Sequence, residues 1–195
     1  MRHLLAALVG AVVVFMWGFT AWAAADIWGF AFAKTTDEVA VHDTIRAQFP
    51  QDGAYFIPRM PKPSECDQST PEGKAQWDAF EKRLKDGPTA LVLVRRDGLA
   101  PIEVKELVRG FGIEFGASLL FACILSAVAG GFVRRVFLGF TVAAFMATAT
   151  WGVSWNFFHL PNGFALAEWF DTVIGWTLCA AVIAFILPKS KRATA

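Results

Sequence analysis

Tyrosine, cysteine and net charge are all scarce in this chain of 195 residues. It has one Tyr against 19 Phe, three Cys, and a formal net charge of +1 at pH 7. Cys123 and Cys179 fall inside apolar blocks while Cys66 stands alone in a polar segment, so the sequence predicts no disulfide framework. The near-zero charge gives no electrostatic support to a nucleic-acid partner, and we expect none.

Catalytic signatures are missing as well. The sequence has no Gly-x-Ser-x-Gly motif, no zincin helix and no phosphate-binding loop. A metal site needs several converging ligands, and His3, His42 and His159 fall on three separate segments. Cys66 lies between two acidic neighbours, which disfavour a reactive thiolate. We therefore expect a protein that is not an enzyme, with no catalytic residue, no cofactor and no metal.

Apolar residues, by contrast, make up 55% of the chain and gather in blocks. A bilayer core of roughly 30 Å requires about 20 consecutive apolar residues in a helix. The blocks predict an α-helical membrane protein with four transmembrane helices and the lipid bilayer as its surroundings. A small extracytoplasmic α/β segment is expected between helices 1 and 2. The predicted spans are residues 1–25, 111–133, 136–155 and 169–187, with the α/β segment at 26–110 and a basic tail at 189–195.

The first block also has a feature of a signal peptide. Ala21-Trp22-Ala23 has the small-x-small pattern of a cleavage site. The apolar stretch nevertheless exceeds the usual secretory core of about 7–15 residues. We expect an uncleaved helix, with cleavage of residues 1–23 as the alternative.

Basic residues predict the orientation. Short cytoplasmic loops carry an excess of Lys and Arg. Arg2, the Arg134-Arg135 pair and the tail fall on one side of four spans, and the Asn156–Glu168 turn, which has no Lys or Arg, falls on the other. We expect a multi-pass protein of a bacterial inner membrane, with both termini cytoplasmic and a periplasmic α/β segment.

The α/β segment has helix and strand signals in alternation. Two amphipathic helices and two short strands are expected, with the strands paired and resting on the helices. A last helix should run directly into the second span. The expected elements are a helix after a capping box at Thr35–Glu38, a strand at Ala54–Ile57, a helix capped by Thr70, a strand at Thr89–Val94 and a helix at Ile102–Arg109.

Scattered aromatic, Gly and Pro positions carry a resemblance across most of the chain. They are Trp17-Gly18, Gly53–Pro58, Gly87-Pro88, Ser154-Trp155-Asn156, Pro161, Asp171 and Gly175-Trp176. With these residues the chain resembles a family of uncharacterised bacterial four-helix integral inner-membrane proteins. The resemblance implies the four-span layout and no reaction.

Five polar residues are predicted to meet near the outer end of the bundle. This polar cluster consists of Glu114, Asn156, His159, Glu168 and Asp171. Ionisable groups within a span are costly and often mark paths for ions, protons or ligands. The alternative is that they cap helices and make structural hydrogen bonds at interface depth, with Glu168 and Asp171 in the first turn or so of the fourth span.

Small residues and the lack of motifs leave two function classes. Gly112 and Gly116 have the small-xxx-small spacing that lets helices approach closely, either inside the bundle or against another membrane protein or a second copy. We expect a non-enzymatic accessory, assembly or scaffold subunit that presents its periplasmic cap. The alternative is a small transporter or permeation component that uses the polar cluster.

Overall fold

The computed structural model describes residues 1–101 and 103–188 and divides the chain into two compact units. The helical unit comprises residues 1–34 and 101–195, and the inserted unit comprises residues 35–100. The elements in chain order are α1 (Arg2–Gly18), α2 (Glu38–Gln48), β1 (Gly53–Ile57), α3 (Pro71–Asp86), β2 (Ala90–Val94), α4 (Val104–Ala127), α5 (Phe132–Ala147), α6 (Val153–Phe158) and α7 (Asn162–Ile186).

Within the described residues, four helices are long and apolar enough to cross a membrane, judged by length and composition. Two of them include π-helical stretches: Phe19–Ala24 extends α1, and Thr148–Gly152 joins α5 to α6. The four continuous helices are Arg2–Ala24, Val104–Ala127, Phe132–Phe158 and Asn162–Ile186. The expected four apolar helices are therefore confirmed, together with a small two-stranded sheet.

Helix boundaries differ from the predicted ones at the polar residues. The final helix begins at Asn162 rather than Trp169, so the connection before it is much shorter than the predicted Asn156–Glu168 turn. Polar side chains alone do not interrupt a helical backbone. The final helix therefore includes the polar residues from Asn162 to Glu168 that were assigned to the turn. His159, in the left-handed conformation at φ 52°, ends the preceding helix. The helix expected to run into the second span is continuous with it from Val104, whereas Ile102 and the tail at 189–195 lie outside the described residues.

Close contacts of α7 with α1 and α5 hold the helical unit together. A Cβ added at Gly139 of α5 would lie 2.2 Å from the Cβ of Ala180, and one at Gly10 of α1 would lie 2.9 Å from Cys179 Sγ. At such distances only the hydrogen side chain of glycine fits at these two positions. Leu125 of α4 and Ile183 of α7 are fully buried in the core beside these contacts.

The pair Gly112 and Gly116 does not take part in this packing. Both are exposed, and a Cβ at either would meet nothing within 4 Å. The interpretation that they pack helices inside the bundle is therefore wrong. Ser118 and Ala122, further along α4, are fully buried and fill that role. The alternative interpretation, a surface for another membrane protein, stays a prediction.

Local signals form the elements of the inserted unit as expected, with one change of cap. Asp37, rather than Thr35, caps α2 by accepting a hydrogen bond from the Ala40 N–H at 3.0 Å. Thr70 caps α3 through the Gly73 N–H at 3.1 Å. The strands β1 and β2 pair antiparallel, with Tyr55 opposite Val92.

The expected packing of this sheet on both helices is wrong. Across the described residues of the inserted unit, no residue of α2, β1 or β2 is buried, and the buried apolar side chains are Cys66 and Phe80. Both faces of the hairpin are apolar, with Tyr55 on one and Phe56 on the other, so the pattern does not specify which face a helix covers. The contact between α2 and the hairpin is at one end, where the Phe49 ring lies 4.7 Å from that of Tyr55.

Candidate functional site

A hydrogen bond between α1 and α7 forms the structural centre of the site. The Nε1–H of Trp17 donates to Oδ1 of Asp171 at 2.9 Å. Gly175, one turn after Asp171, makes this possible, because a Cβ there would lie 2.9 Å from Cδ1 of Trp17. The missing side chain lets the indole ring lie against the α7 backbone and reach the carboxylate. Trp17 was not among the predicted site residues.

Two further carboxylates lie near Asp171. Its negative charge acts on Glu168, on the preceding turn of α7, and on Glu114 of α4. We call these three residues the carboxylate cluster. In the described part of the chain, no ion pair involves any of them. The helical unit therefore contains three carboxyl groups that form no ion pair with its described basic groups.

Glu114 differs from Asp171 in its hydrogen bonding. Its Oε2 atom is buried and has no hydrogen-bond partner among the described residues. A buried carboxylate oxygen without a partner is costly, because water no longer solvates it. Glu114 is therefore the member of the cluster that has a buried oxygen without a hydrogen-bond partner in the described residues.

Polar atoms continue inward from Glu114. Ser118, one turn further along α4, places its Oγ 3.6 Å from Sγ of Cys179, and both side chains are fully buried. Cys179 is one turn beyond Gly175 on α7. The spacing of four residues, from Glu114 to Ser118 and from Asp171 through Gly175 to Cys179, is the sequence signal for this polar line, and it was not used in the prediction.

Among the described residues, the other two predicted members make no hydrogen bond or ion pair with the carboxylate cluster. Asn156 and His159 are exposed, and His159 serves as the end of α6. The interpretation that Glu168 and Asp171 cap the final helix is wrong, because that helix begins at Asn162 and has no acidic residue in its first turn. Asp171 does make a structural hydrogen bond, with Trp17.

Tryptophans surround the beginning of α7. Trp151 donates to Thr172 Oγ1, and Trp169 donates to Thr148 Oγ1, both at 3.1 Å. Thr148 and Trp151 belong to the π-helical stretch, which joins α5 to α6. Together with Trp155 these indoles line an open groove of about 370 Å³. Since the indole N–H groups are already bonded within the protein, the groove offers mainly ring faces.

No group of three or more His, Cys, Asp or Glu residues is arranged to hold a metal ion in the described ranges 1–101 and 103–188. Comparisons with family models, with curated proteins and with solved structures give no match to this chain. The site must therefore be interpreted from its own geometry.

Replacing Trp17 with Phe tests the structural centre. The change leaves the Asp171 carboxylate without its indole donor, and an unpaired acceptor costs about 1–3 kcal/mol. We expect a lower melting temperature for the purified protein in detergent, followed by circular dichroism. Asp171→Asn keeps an amide oxygen for the indole and should cost less.

The matched control is Trp155→Phe. It removes an indole hydrogen bond of 2.8 Å, to Asn162, at an exposed position where solvent can replace the partner. Equal melting temperatures for the Trp17 and Trp155 variants would contradict a central role for the Trp17–Asp171 pair.

Proposed function

We propose that this protein is a multi-pass integral protein of a bacterial inner membrane, with both termini cytoplasmic and residues 26–110 periplasmic. The four long helices have mean hydropathy between 1.7 and 2.2 in their most apolar windows, which supports insertion. The family of inner-membrane proteins that the chain resembles has the same four-span layout.

The distribution of basic and aromatic residues within the helical unit supports this orientation. Arg135 is 2% exposed and donates to the Leu187 carbonyl at 3.3 Å, so the basic pair and the end of α7 lie together. Arg2 belongs to the same end, because Gly10 contacts Cys179 whereas Trp17 reaches back to Asp171. The tryptophans near the start of α7 lie at the opposite end, where a membrane–water interface favours them.

Retention of α1 is part of the proposal. Ala6, Ala7 and Ala11 are fully buried, and Trp17 bonds to α7. A signal peptide has no such role in the mature fold, whereas loss of α1 would expose the inward faces of α4 and α7.

Within this membrane protein we assign the non-enzymatic role of an accessory, assembly or scaffold subunit that presents its inserted unit to a partner. The observation that carries this assignment is the thin core of that unit, in which Cys66 and Phe80 are the buried apolar side chains among its described residues. Val39 and Leu93 are 71% and 76% exposed. A two-stranded hairpin is marginal in water by itself, and small domains need either a core or another surface. A protein partner supplies that surface.

The carboxylate cluster favours a second candidate, a small transporter or permeation component. Three acidic residues within long apolar helices, one of them with an unpartnered buried oxygen, are the groups that proton and cation paths use. Four helices of one chain leave little room for a path, so this candidate also requires self-association.

Topology reporters test the membrane arrangement. Fusions after residues 100, 130, 160 and 195 should report outside, inside, outside and inside, because each follows one further crossing. Alkaline phosphatase and green fluorescent protein give opposite signals at each point and control for expression. A different order, or a mature amino terminus near residue 24, would contradict the arrangement.

The scaffold assignment is tested at the exposed hairpin. Leu93→Gln should lower the yield of a partner that co-purifies in mild detergent by about tenfold, since a buried Leu is worth about 1.5–3 kcal/mol. Leu99→Gln, the same change at a Leu that is 52% exposed and outside the strands, should have little effect. The assignment fails if wild type purifies alone as a monomer or if both variants retain the partner equally.

Transport is tested in vesicles that contain the pH dye pyranine. Under an imposed gradient, wild type should move protons faster than protein-free vesicles, and Glu114→Gln and Asp171→Asn should abolish the difference. Full flux in both variants, or none in wild type, would exclude the carboxylate cluster as a proton path.

A further inference from the structure

A cavity between α1 and α4 has the features of a binding site that the proposed scaffold role does not require. Its volume is about 290 Å³, and Glu114 is its one ionisable lining residue, with apolar side chains from both helices around it. We propose that this cavity binds a small lipophilic organic cation, with Glu114 as the counter-ion.

The charge of the cavity selects a cation. The Oε2 atom of Glu114 is buried without a hydrogen-bond partner in the described ranges, and the charge of Asp171 acts on the same carboxyl group. A positive group in the cavity would offset the negative charge of the Glu114 carboxylate, which lines it. An anion would meet the opposite field.

The walls select an organic body on that cation. Phe15 and Phe19 contribute aromatic rings, whose faces attract ammonium groups, and Leu107 contributes an aliphatic surface. The space beside Gly18 and Gly110 is open, since a Cβ at either would meet nothing within 4 Å. The volume lies near the lower end of the range for ligand pockets, roughly 300–1,000 Å³, so the ligand is small.

The donor set disfavours a metal ion. Calcium takes six to eight oxygen ligands, and magnesium takes six in tight octahedral geometry. This cavity offers one carboxylate and no other side-chain oxygen from its lining residues. A cation that carries its own apolar shell needs one counter-charge and no coordination sphere.

Binding to purified full-length protein in an uncharged detergent tests the proposal by calorimetry. The probe is benzyltrimethylammonium, which joins one aromatic ring to a permanent positive charge, and the control ligand is its uncharged isostere neopentylbenzene. Wild type should bind the cation at least about tenfold more tightly than the isostere, the size expected for the Coulomb attraction of one carboxylate–ammonium pair near a protein surface. Equal binding of the two would overturn the role of charge.

Glu114→Gln should weaken binding of the cation by about tenfold or more, because it removes the charge and keeps the shape. Glu72→Gln makes the same change at an exposed position of α3 in the inserted unit and should leave binding within twofold. Equal weakening by both variants, or none by Glu114→Gln, would overturn the assignment. The absence of proton flux in the transport experiment would not change this result, because binding is measured without vesicles or a partner.

Two glycine substitutions test the location of the binding site without changing its charge. Gly110→Leu should fill the cavity and abolish binding, while the helix tolerates it because Leu has a higher helix propensity than Gly. Gly112→Leu makes the same change two residues later at an exposed glycine outside the cavity and should bind normally. Normal binding by the Gly110 variant would overturn the location.

An ammonium group can also come from a lipid headgroup. The titration is therefore repeated in nanodiscs of phosphatidylglycerol alone and in nanodiscs that also contain phosphatidylethanolamine. We expect equal affinity in both. Competition by phosphatidylethanolamine would assign the cavity to a headgroup and overturn a free cation as its ligand.

Discussion

The close approach of α1 and α7 is the contact on which the rest of the helical unit depends. It requires glycine on both sides, at Gly10 where α1 meets Cys179 and at Gly175 where α7 meets Trp17. Two helices that meet through glycine bring their backbones together and gain dispersion contacts along their length, which matters most where no hydrophobic effect drives association. The same approach brings an indole N–H within 2.9 Å of Asp171. Packing and polar chemistry at this position therefore have one cause.

The hydrogen bond between Trp17 and Asp171 distinguishes Asp171 from Glu114. Asp171 has a donor from a neighbouring helix, so its role in holding α1 against α7 is structural. Glu114 feels the charge of Asp171 and has a buried oxygen without a partner in the described chain. An unsatisfied buried group destabilises a fold unless something else binds it or protonates it. Among the three acidic residues, Glu114 is the one shared by the proposed proton path and the proposed cation site.

Composition and local signals predicted the helices and strands better than the contacts between them. Apolar block length gave four long helices, and Thr70 gave a helix cap, because both effects act over a few neighbouring residues. The predicted polar cluster depends on contacts between helices, which such local signals do not report. The sequence placed Asn156 in a loop beside the acidic residues, whereas the helix ends depend on backbone geometry at His159. The Trp17–Asp171 bond joins residues far apart in sequence, and no periodicity within one helix reports which helix will be its neighbour.

Under the proposed topology, exposed apolar side chains face lipid on the helical unit and water on the inserted unit. On the helical unit, residues such as Phe137 and Phe185, at 68% and 82% exposure, face lipid, which is as apolar as they are and requires no further cover. On the inserted unit, Leu93 and Val39 are equally bare but would face water, where apolar area costs roughly 25 cal/mol per Å². The helical unit is thus complete once lipid surrounds it, while the inserted unit is not complete in solution. This difference in surroundings supports the proposal of a protein partner at the inserted unit.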